Sequence, residues 1–264
     1  MFESIFDIPL WVMGPAIIAT LCAFAVVGLL LVRRRVLPRL RVEGGDSEFT
    51  GAMLQSVMVF YGLAVALIAV TVFQTYSDTQ KVVTGEATAL NALYRDVTSY
   101  PEPIRTELQK EVRDYTKYVI EEAWPLQRQG KVPGSGIQHM THFQATLDKF
   151  EPATEGQKLL HGETLRAYNM LIQARRQRLD SVGTGLPKVM WAVIVFGAFI
   201  SLSSSFFFKV EDPRLHIIEV LLLAVFIVLV MFMILSLDRP FRGDLGIGAD
   251  AYQLVYDQLM KSTP

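Results

Sequence analysis

"VTVFQTYSDTQKVV", residues 70–83, begins with apolar residues suited to lipid and ends with polar residues suited to water. It contains no glycine, proline or other turn signal. From Ala52 to Thr98 there is no proline, and the only glycines are Gly62 and Gly85. The simplest structure is one helix that spans a membrane and continues beyond it as a stalk. An isolated glycine costs such a helix only about 1 kcal/mol.

Charge is scarce in this chain, because 51% of the 264 residues are hydrophobic and only 19% are charged. The shortage is confined to four apolar runs, each about 18 residues or longer, which is enough to cross a hydrocarbon core as a helix. The runs lack the alternation of barrel strands. We therefore predict transmembrane helices at about residues 9–32, 50–77, 188–208 and 217–238. The first run is expected to be a helix rather than a signal peptide, because the preceding "MFESIFD" is acidic.

A polar insert between the second and third runs has apolar positions at helical spacing, such as Ile104, Leu108 and Val112. "EPATEGQ" opens a long helix in it, with Thr154 as the N-cap. No strand signal is present, so the predicted fold class is an all-α integral membrane protein with a helical-bundle insert. The predicted domains are a transmembrane hairpin at 1–77, the soluble helical insert at 78–187, a second transmembrane hairpin at 188–238 and a C-terminal tail at 239–264.

Two faces of the second membrane helix differ in composition when it is plotted at about 100° per residue. One face is polar at both ends and apolar in the middle, so it either lines an ion path with an apolar constriction or packs with its polar ends at the interfaces. Its members are the candidate pore-lining residues Ser56, Phe60, Ala64, Leu67, Thr71, Gln74 and Asp78. The other face has small residues, which let helices approach closely in lipid. Its candidate packing residues are Gly62, Ala66 and Ala69.

Further polar residues in the membrane runs are few. Ser201, Ser203, Ser204 and Ser205 either line a path or bond across helices or back to their own backbone. No charge lies at the middle of an apolar run. This argues against a proton pump or an ion-coupled transporter, which usually needs one.

Motifs for catalysis or metal binding are not found. His139 and His142 in "HMTH" are close enough to share a metal, but a site needs three or four ligands, and only His161 or distant carboxylates remain. There is no phosphate loop, nucleophile elbow or metalloprotease helix. We predict no catalytic residue, no metal, no cofactor and no enzyme activity. The net charge of −1 gives no basic field for nucleic acid.

Basic residues in the short connections predict the orientation in the membrane. The first connection has five of them and the last has two, namely Arg33, Arg34, Arg35, Arg39, Arg41, Lys209 and Arg214. Short basic loops stay in the cytoplasm, which would place the insert and both termini outside it. The stretch "ARRQR", residues 174–178, competes with this signal because it lies near the third helix on the opposite side.

Several stretches together resemble a bacterial membrane family with a bestrophin-like domain. They are "EATALNALYRDV", "YPEPIRTELQKEVRDYTKYVIEEAWP", "FEPATEGQ", "ARRQRLDSVGTGLPKVMWAVI" and "LDRPFRGDLGI". The resemblance covers roughly residues 45–250, and "LDRPFRG" is its most distinctive part. It implies four membrane helices, a helical body that bestrophins hold in the cytoplasm, and a ring of subunits, expected to be a pentamer. It also implies a central anion pore with an apolar neck at Phe60, Ala64 and Leu67.

The expected function is a homo-oligomeric, chloride-selective ion channel in the bacterial inner membrane. Its expected partners are the lipid bilayer, further copies of itself and inorganic anions, with no nucleic acid. Arg239 and Arg242 are candidates for attracting anions, or else anchors that reach toward the interface. The alternative is a non-conducting membrane scaffold or sensor whose helical insert binds a partner, because the insert is longer than a simple pore requires.

Overall fold

The longest element of the structure is α2 (Gly44–Val97), a single helix of 54 residues. It passes through Gly62 and Gly85 without a break, so residues 70–83 are helical throughout. This stretch has no turn signal in its sequence, and it forms no turn in the structure. The computed structural model describes residues 9–39, 44–208, 210 and 212–261, with only the backbone described at 44–50. The segment "MFESIFD" and the predicted loop charges Arg41 and Lys209 lie outside the described residues.

The other helices in the described part of the chain range from five to 27 residues in length. They are α1 (Leu10–Leu31), α3 (Ile104–Tyr118), α4 (Trp124–Arg128), α5 (Gly136–Leu147), α6 (Glu155–Ser181), α7 (Lys188–Ser205), α8 (Pro213–Leu237) and α9 (Asp250–Val255). Single π-helical turns follow α1, α3 and α9, at Val32–Val36, Val119–Ala123 and Tyr256–Met260. These described ranges contain no β-strand, which confirms the all-α prediction.

Within the residues that the structure describes, four segments are long and apolar enough to cross a membrane, as predicted. They are Leu10–Val36, Gly51–Val97, Lys188–Ser205 and Pro213–Leu237. The start of the last helix differs from the prediction of about residue 217. It begins at Pro213 because the Asp212 side chain caps it, accepting a hydrogen bond from the backbone N–H of Arg214 at 2.8 Å. The third helix ends at Ser205, earlier than predicted, and residues 206–208 form a turn.

The chain divides into two compact units. The membrane unit consists of residues 1–74 and 185–238, and so contains α1, α7, α8 and the first part of α2. The helical body consists of residues 75–184 and 239–264, and so contains the rest of α2, α3 to α6, and α9.

In the membrane unit, α1 packs against α8 and α7. The helices meet in a small apolar core of Leu21, Ala25, Leu29, Ala198, Leu202, Phe206, Val220, Ala224, Ile227 and Val228. Ser205 donates its hydroxyl hydrogen to the carbonyl of Leu202 at 2.6 Å, which is one of the two roles predicted for the serines of this helix. Many large apolar side chains are exposed, as expected for a surface that meets lipid.

Tyr61 attaches α2 to α7 within the membrane unit. Its ring lies against Gly197, at a point where a side chain on α7 would collide with it. Its hydroxyl donates to the carbonyl oxygen of Ile194 at 2.9 Å. Val65 and Val72 continue this contact, packing with Ile194 and other apolar side chains of α7 and α8. These contacts fix which face of α2 is turned toward its own chain.

The helical body has a continuous core shared by α2, α3, α5, α6 and the C-terminal segment. The predicted N-cap Thr154 is confirmed, because its hydroxyl oxygen accepts a hydrogen bond from the backbone N–H of Gln157 at 3.2 Å. Phe241, Tyr252 and Met260 are buried in this core. The sequence predicted a C-terminal tail from residue 239. In the structure, residues 239–260 are part of the helical body.

The Gly197→Ala substitution tests the contact between Tyr61 and α7. The added methyl group must displace the ring, so we expect purified protein to melt several degrees lower, as for overpacking that costs about 1–3 kcal/mol. Gly162→Ala is the control, because nothing lies within 4 Å of the Cβ it would add. Thermal unfolding followed by circular dichroism would contradict the contact if both variants melted at or above the wild-type temperature.

Candidate functional site

The candidate site is the surface of α2, which has one buried face along most of its length. A series of buried residues recurs at intervals of three, four or seven positions: Val65, Val72, Thr79, Val83, Glu86, Leu90, Leu93 and Val97. Residues at these intervals lie on the same side of an α-helix. One side of α2 is therefore committed to contacts within the chain.

The opposite side of α2 changes from apolar to polar along the helix. Residues two positions before or after a buried one lie about 200° away, on the far side. In the membrane unit these include Leu63, Leu67 and Val70, with 57%, 62% and 53% of their surface exposed. The series continues along the same helix with the polar residues Gln74, Ser77, Lys81, Thr84 and Thr88. We call the eight residues from Leu63 to Thr88 the outer face.

In the helical body the outer face borders a groove of about 600 Å³. The groove is lined by α2 residues between Ser77 and Ala92 and by Met170 of α6. The groove is open, and the surface that lines it is mostly apolar, with polar side chains such as Lys81 and Thr84 along it. The outer face includes Leu63 and Val70, which are absent from the predicted pore-lining set.

Most of the predicted pore-lining residues are exposed on the surface of α2. Six of them are exposed and Ala64 is half-buried; the six are Ser56, Phe60, Leu67, Thr71, Gln74 and Asp78. Leu67 and Gln74 also belong to the outer face. That these side chains line a pore stays a prediction.

Hydroxyl groups on this side of α2 donate hydrogen bonds to backbone carbonyls of the same helix. Thr71 donates to the carbonyl of Leu67 at 2.9 Å, and Ser56, Thr84 and Thr88 make the same type of bond. A hydroxyl has only one hydrogen to donate. Once that hydrogen is used, the group offers its oxygen as an acceptor.

The predicted packing residues have mixed surroundings. Gly62 and Ala66 are exposed, and they line an apolar groove of about 310 Å³ together with Phe226 and Val230 of α8. Ala69 is half-buried and contacts the apolar side chains near α7 and α8. Packing of Gly62 and Ala66 against another helix therefore stays a prediction, and it would need a second copy or another partner.

A buried ion pair joins α2 to α6 in the helical body. The Arg178 Nε lies 2.6 Å from Glu86 Oε2, and its Nη2 lies 3.1 Å from Oε1. The Tyr115 hydroxyl donates to the same Oε1 at 2.7 Å. The guanidinium also lies over the rings of Trp124 and Tyr252, at 5.6 and 5.8 Å from their centroids. The carboxylate thus ties α2 to α3 and α6, and the guanidinium extends the cluster to Tyr252 of the C-terminal segment.

The charges of this cluster are stabilised by one another. Burial, with the Glu86 carboxylate adding to it, raises the pKa of the Tyr115 and Tyr252 hydroxyls well above the ordinary value. Burial lowers the pKa of the Arg178 guanidinium, but Glu86 and the two tyrosines outweigh it, so that pKa is raised. Arg178 therefore stays charged, and both tyrosines stay protonated, at physiological pH.

Arg239, a candidate for attracting anions, is bonded to the backbone. Its Nη1 donates to the carbonyl oxygens of Gly183 and Thr184, at 3.1 and 3.3 Å. It thereby holds the residues that follow α6. Arg242, the second candidate, is half-buried. Anion attraction by either arginine stays a prediction.

Asp238 ends α8 in the membrane unit and orients the start of α7. Its Oδ1 accepts a hydrogen bond from the backbone N–H of Leu186 at 2.6 Å. Its Oδ2 accepts one from the indole N–H of Trp191 at 3.2 Å. Asp238 of the "LDRP" sequence therefore has a structural role in the membrane unit.

The histidines considered for a metal site have other neighbours. The His139 ring lies beside Tyr118, with centroids 4.9 Å apart. His161 Nδ1 lies 3.0 Å from the Tyr100 hydroxyl. Within the described ranges, no three His, Cys, Asp or Glu side chains are grouped so that they could hold a metal ion.

Comparison with known proteins identifies the family. A family model described as a bestrophin-like domain matches residues 19–252. The chain belongs to the bestrophin-like family. It is a multi-pass membrane protein whose described residues are mostly helical and include four apolar spans. No curated protein sequence is significantly similar to it.

Solved structures share this fold at low sequence identity. A bacterial bestrophin homolog from Klebsiella pneumoniae, phased with zinc, has a TM-score of 0.69 and 8% identity, covering 94% of this chain and 98% of that chain. A point variant of the Klebsiella homolog has a TM-score of 0.69 and 9% identity over the same shares. A structure described as a membrane protein variant has a TM-score of 0.70 and 8% identity, covering 95% and 99%. At such identities the likeness shows the fold alone.

Four of the five stretches that resemble bestrophins contribute to one cluster in the helical body. "EATALNALYRDV" supplies Glu86, and "ARRQRLDSVG" supplies Arg178. The stretch that ends in "EEAWP" supplies Tyr115 and Trp124. The Trp124 indole N–H donates to the carbonyl of Ile247, at the end of "LDRPFRGDLGI", at 3.0 Å. Four separate stretches therefore build one packed cluster around the buried ion pair.

Arg178→Met tests the importance of the buried pair. It leaves the Glu86 carboxylate buried without a counter-charge, so we expect a loss of about 3–5 kcal/mol in unfolding free energy. Lowering the pH to about 5 should recover part of the loss. A carboxyl group without its guanidinium partner has a raised pKa in the folded protein, so its stabilisation is present at low pH and disappears as the pH rises through that pKa.

Lys158→Met is the matched control, because Lys158 forms an exposed pair with Glu155 at 2.7 Å. It should change the unfolding free energy by less than about 1 kcal/mol. If Arg178→Met does not fold, the double variant Glu86→Leu, Arg178→Met should recover folded protein, since it buries no unpaired charge. Denaturant unfolding that gave the two single variants equal stability would contradict the role of the pair.

Proposed function

We propose that this protein is a homo-oligomeric, chloride-selective ion channel whose conduit is lined by α2 of each subunit. The observation that carries the proposal is the outer face of α2, which is uncovered while the opposite side is buried in its own chain. In a ring of identical subunits, an uncovered helix face meets either a neighbouring copy or the central axis. Membership of the bestrophin-like family supports such a ring, and we propose five subunits.

The apolar part of α2 would form the neck of this channel. The exposed side chains Phe60, Leu63, Leu67 and Val70 are all apolar, and a ring of such side chains restricts ion flow by excluding water. Gly62 and Ala66 lie at the flank of the outer face, whereas Ala69 packs within its own chain. In lipid, small residues favour close contact with another helix, so we assign Gly62 and Ala66 to contacts between copies.

We propose that the protein lies in the bacterial inner membrane with the α1–α2 connection in the cytoplasm. Arg33, Arg34 and Arg35 in that short connection support this orientation. The competing signal "ARRQR" is weakened, because Arg178 is buried and paired rather than exposed. This arrangement places the helical body outside the cytoplasm, opposite to the bestrophin arrangement.

Chloride flux through purified protein in liposomes tests the proposal. We expect flux well above that of empty vesicles, from protein shown to be folded and oligomeric. Folded, oligomeric protein without any flux would contradict the proposal. A non-conducting scaffold or sensor whose helical body binds a partner would then be the better interpretation, and crosslinking should reveal that partner.

Leu67→Ala tests the position of the neck. Shortening an apolar side chain at a constriction widens it and eases wetting, so we expect a several-fold rise in conductance. Leu222→Ala is the matched control, because Leu222 is 67% exposed on α8, compared with 62% for Leu67. Single-channel or flux measurements in which both variants behave like the wild type would move the neck away from Leu67.

A further inference from the structure

We propose that Lys81 determines the charge selectivity of the conduit. The inference rests on the proposed function and adds the side chain that distinguishes anions from cations. Lys81 belongs to the polar part of the outer face and lines the groove of about 600 Å³ in the helical body. Its side chain is 74% exposed.

Positive charge is unevenly distributed along α2. No lysine or arginine occurs from Gly51 to Gln80, so Lys81 is the first cation after the apolar segment. The buried neighbours Thr79 and Val83 turn the Lys81 side chain away from the core of the body. Along α2, Lys81 is therefore the first positive side chain after the apolar segment that we propose as the neck.

Hydrogen-bond donors, which an anion needs and a cation does not, are scarce on the polar outer face. The hydroxyl hydrogens of Thr84 and Thr88 on this face, and of Thr71 beside it, are bonded to backbone carbonyls of the same helix. Toward the outside these groups offer acceptor oxygens, which suit a cation. The polar outer face then depends on the Gln74 amide, the Ser77 hydroxyl and the Lys81 ammonium for donors, and only the ammonium carries charge.

A carboxylate lies beside the ammonium group. Asp78 Oδ1 is 2.9 Å from Lys81 Nζ, and both side chains are largely exposed. Water screens such a pair strongly, so each charge still acts on a passing ion. Removing the ammonium leaves a carboxylate and acceptor oxygens, which favours cations. Removing the carboxylate leaves the ammonium alone, which favours anions.

Reversal potentials in a KCl gradient across planar bilayers provide the test. For Lys81→Gln we expect the chloride-to-potassium permeability ratio to fall about fivefold or more, the factor that one unit charge near an ion produces in water. Lys81→Glu should lower the ratio further, and Asp78→Asn should raise it. Lys158→Gln is the matched control, since Lys158 is also exposed and paired three residues away on a helix.

Two further outcomes separate this inference from the proposed function. If wild-type protein conducts, and Lys81→Gln and Lys81→Glu keep its reversal potential as Lys158→Gln does, the inference is overturned while the channel stands. If folded, oligomeric wild-type protein does not conduct at all, the proposed function itself fails.

A second variant allows the test to be made even if Lys81→Glu folds poorly. In a Cys22→Ser background, Lys81→Cys can be modified after folding with thiol reagents that add a positive or a negative group. The positive group should restore the chloride preference, and the negative group should reverse it. Equal reversal potentials after the two modifications would also overturn the inference.

Discussion

The rotation of α2 about its own axis is the constraint on which the rest of the structure depends. Tyr61 sets it in the membrane unit, through the close approach to Gly197 and the bond to the Ile194 carbonyl. Glu86 sets it in the helical body, through the buried pair with Arg178. Both contacts lie on the buried side of the helix. A helix held in this way cannot turn its outer face toward the core without breaking a desolvated ion pair.

The proposed function depends on the face of α2 that this arrangement leaves exposed. Apolar side chains such as Leu63 and Val70 are exposed in the membrane unit, and polar ones such as Lys81 are exposed in the helical body. An apolar constriction followed by a charged, wet surface is a common way to build an ion-selective path. In the channel that we propose, the buried pair would position the conduit without touching the ions.

Much of the fold was predictable because lipid imposes simple rules. The length of the apolar runs predicted four spans, and the lack of proline predicted an unbroken α2. The Glu86–Arg178 pair was not predictable, because its partners are 92 residues apart and each resembles an ordinary surface charge on its helix. Leu63 and Val70 were missed for a different reason. In a membrane helix both the buried and the exposed sides are apolar, so composition alone does not show which side its own chain covers.

The central claim is that the outer face of α2 meets water inside the membrane. Its most direct test is cysteine accessibility in reconstituted, oligomeric protein that carries Cys22→Ser. Single cysteines at Leu63, Leu67 and Val70 should react with a charged, membrane-impermeant thiol reagent. Cysteines at the buried Val72 and at Leu222 on α8 should not. If the three outer-face cysteines are as unreactive as the one at Leu222, this face lies against lipid or protein, and α2 does not line a conduit.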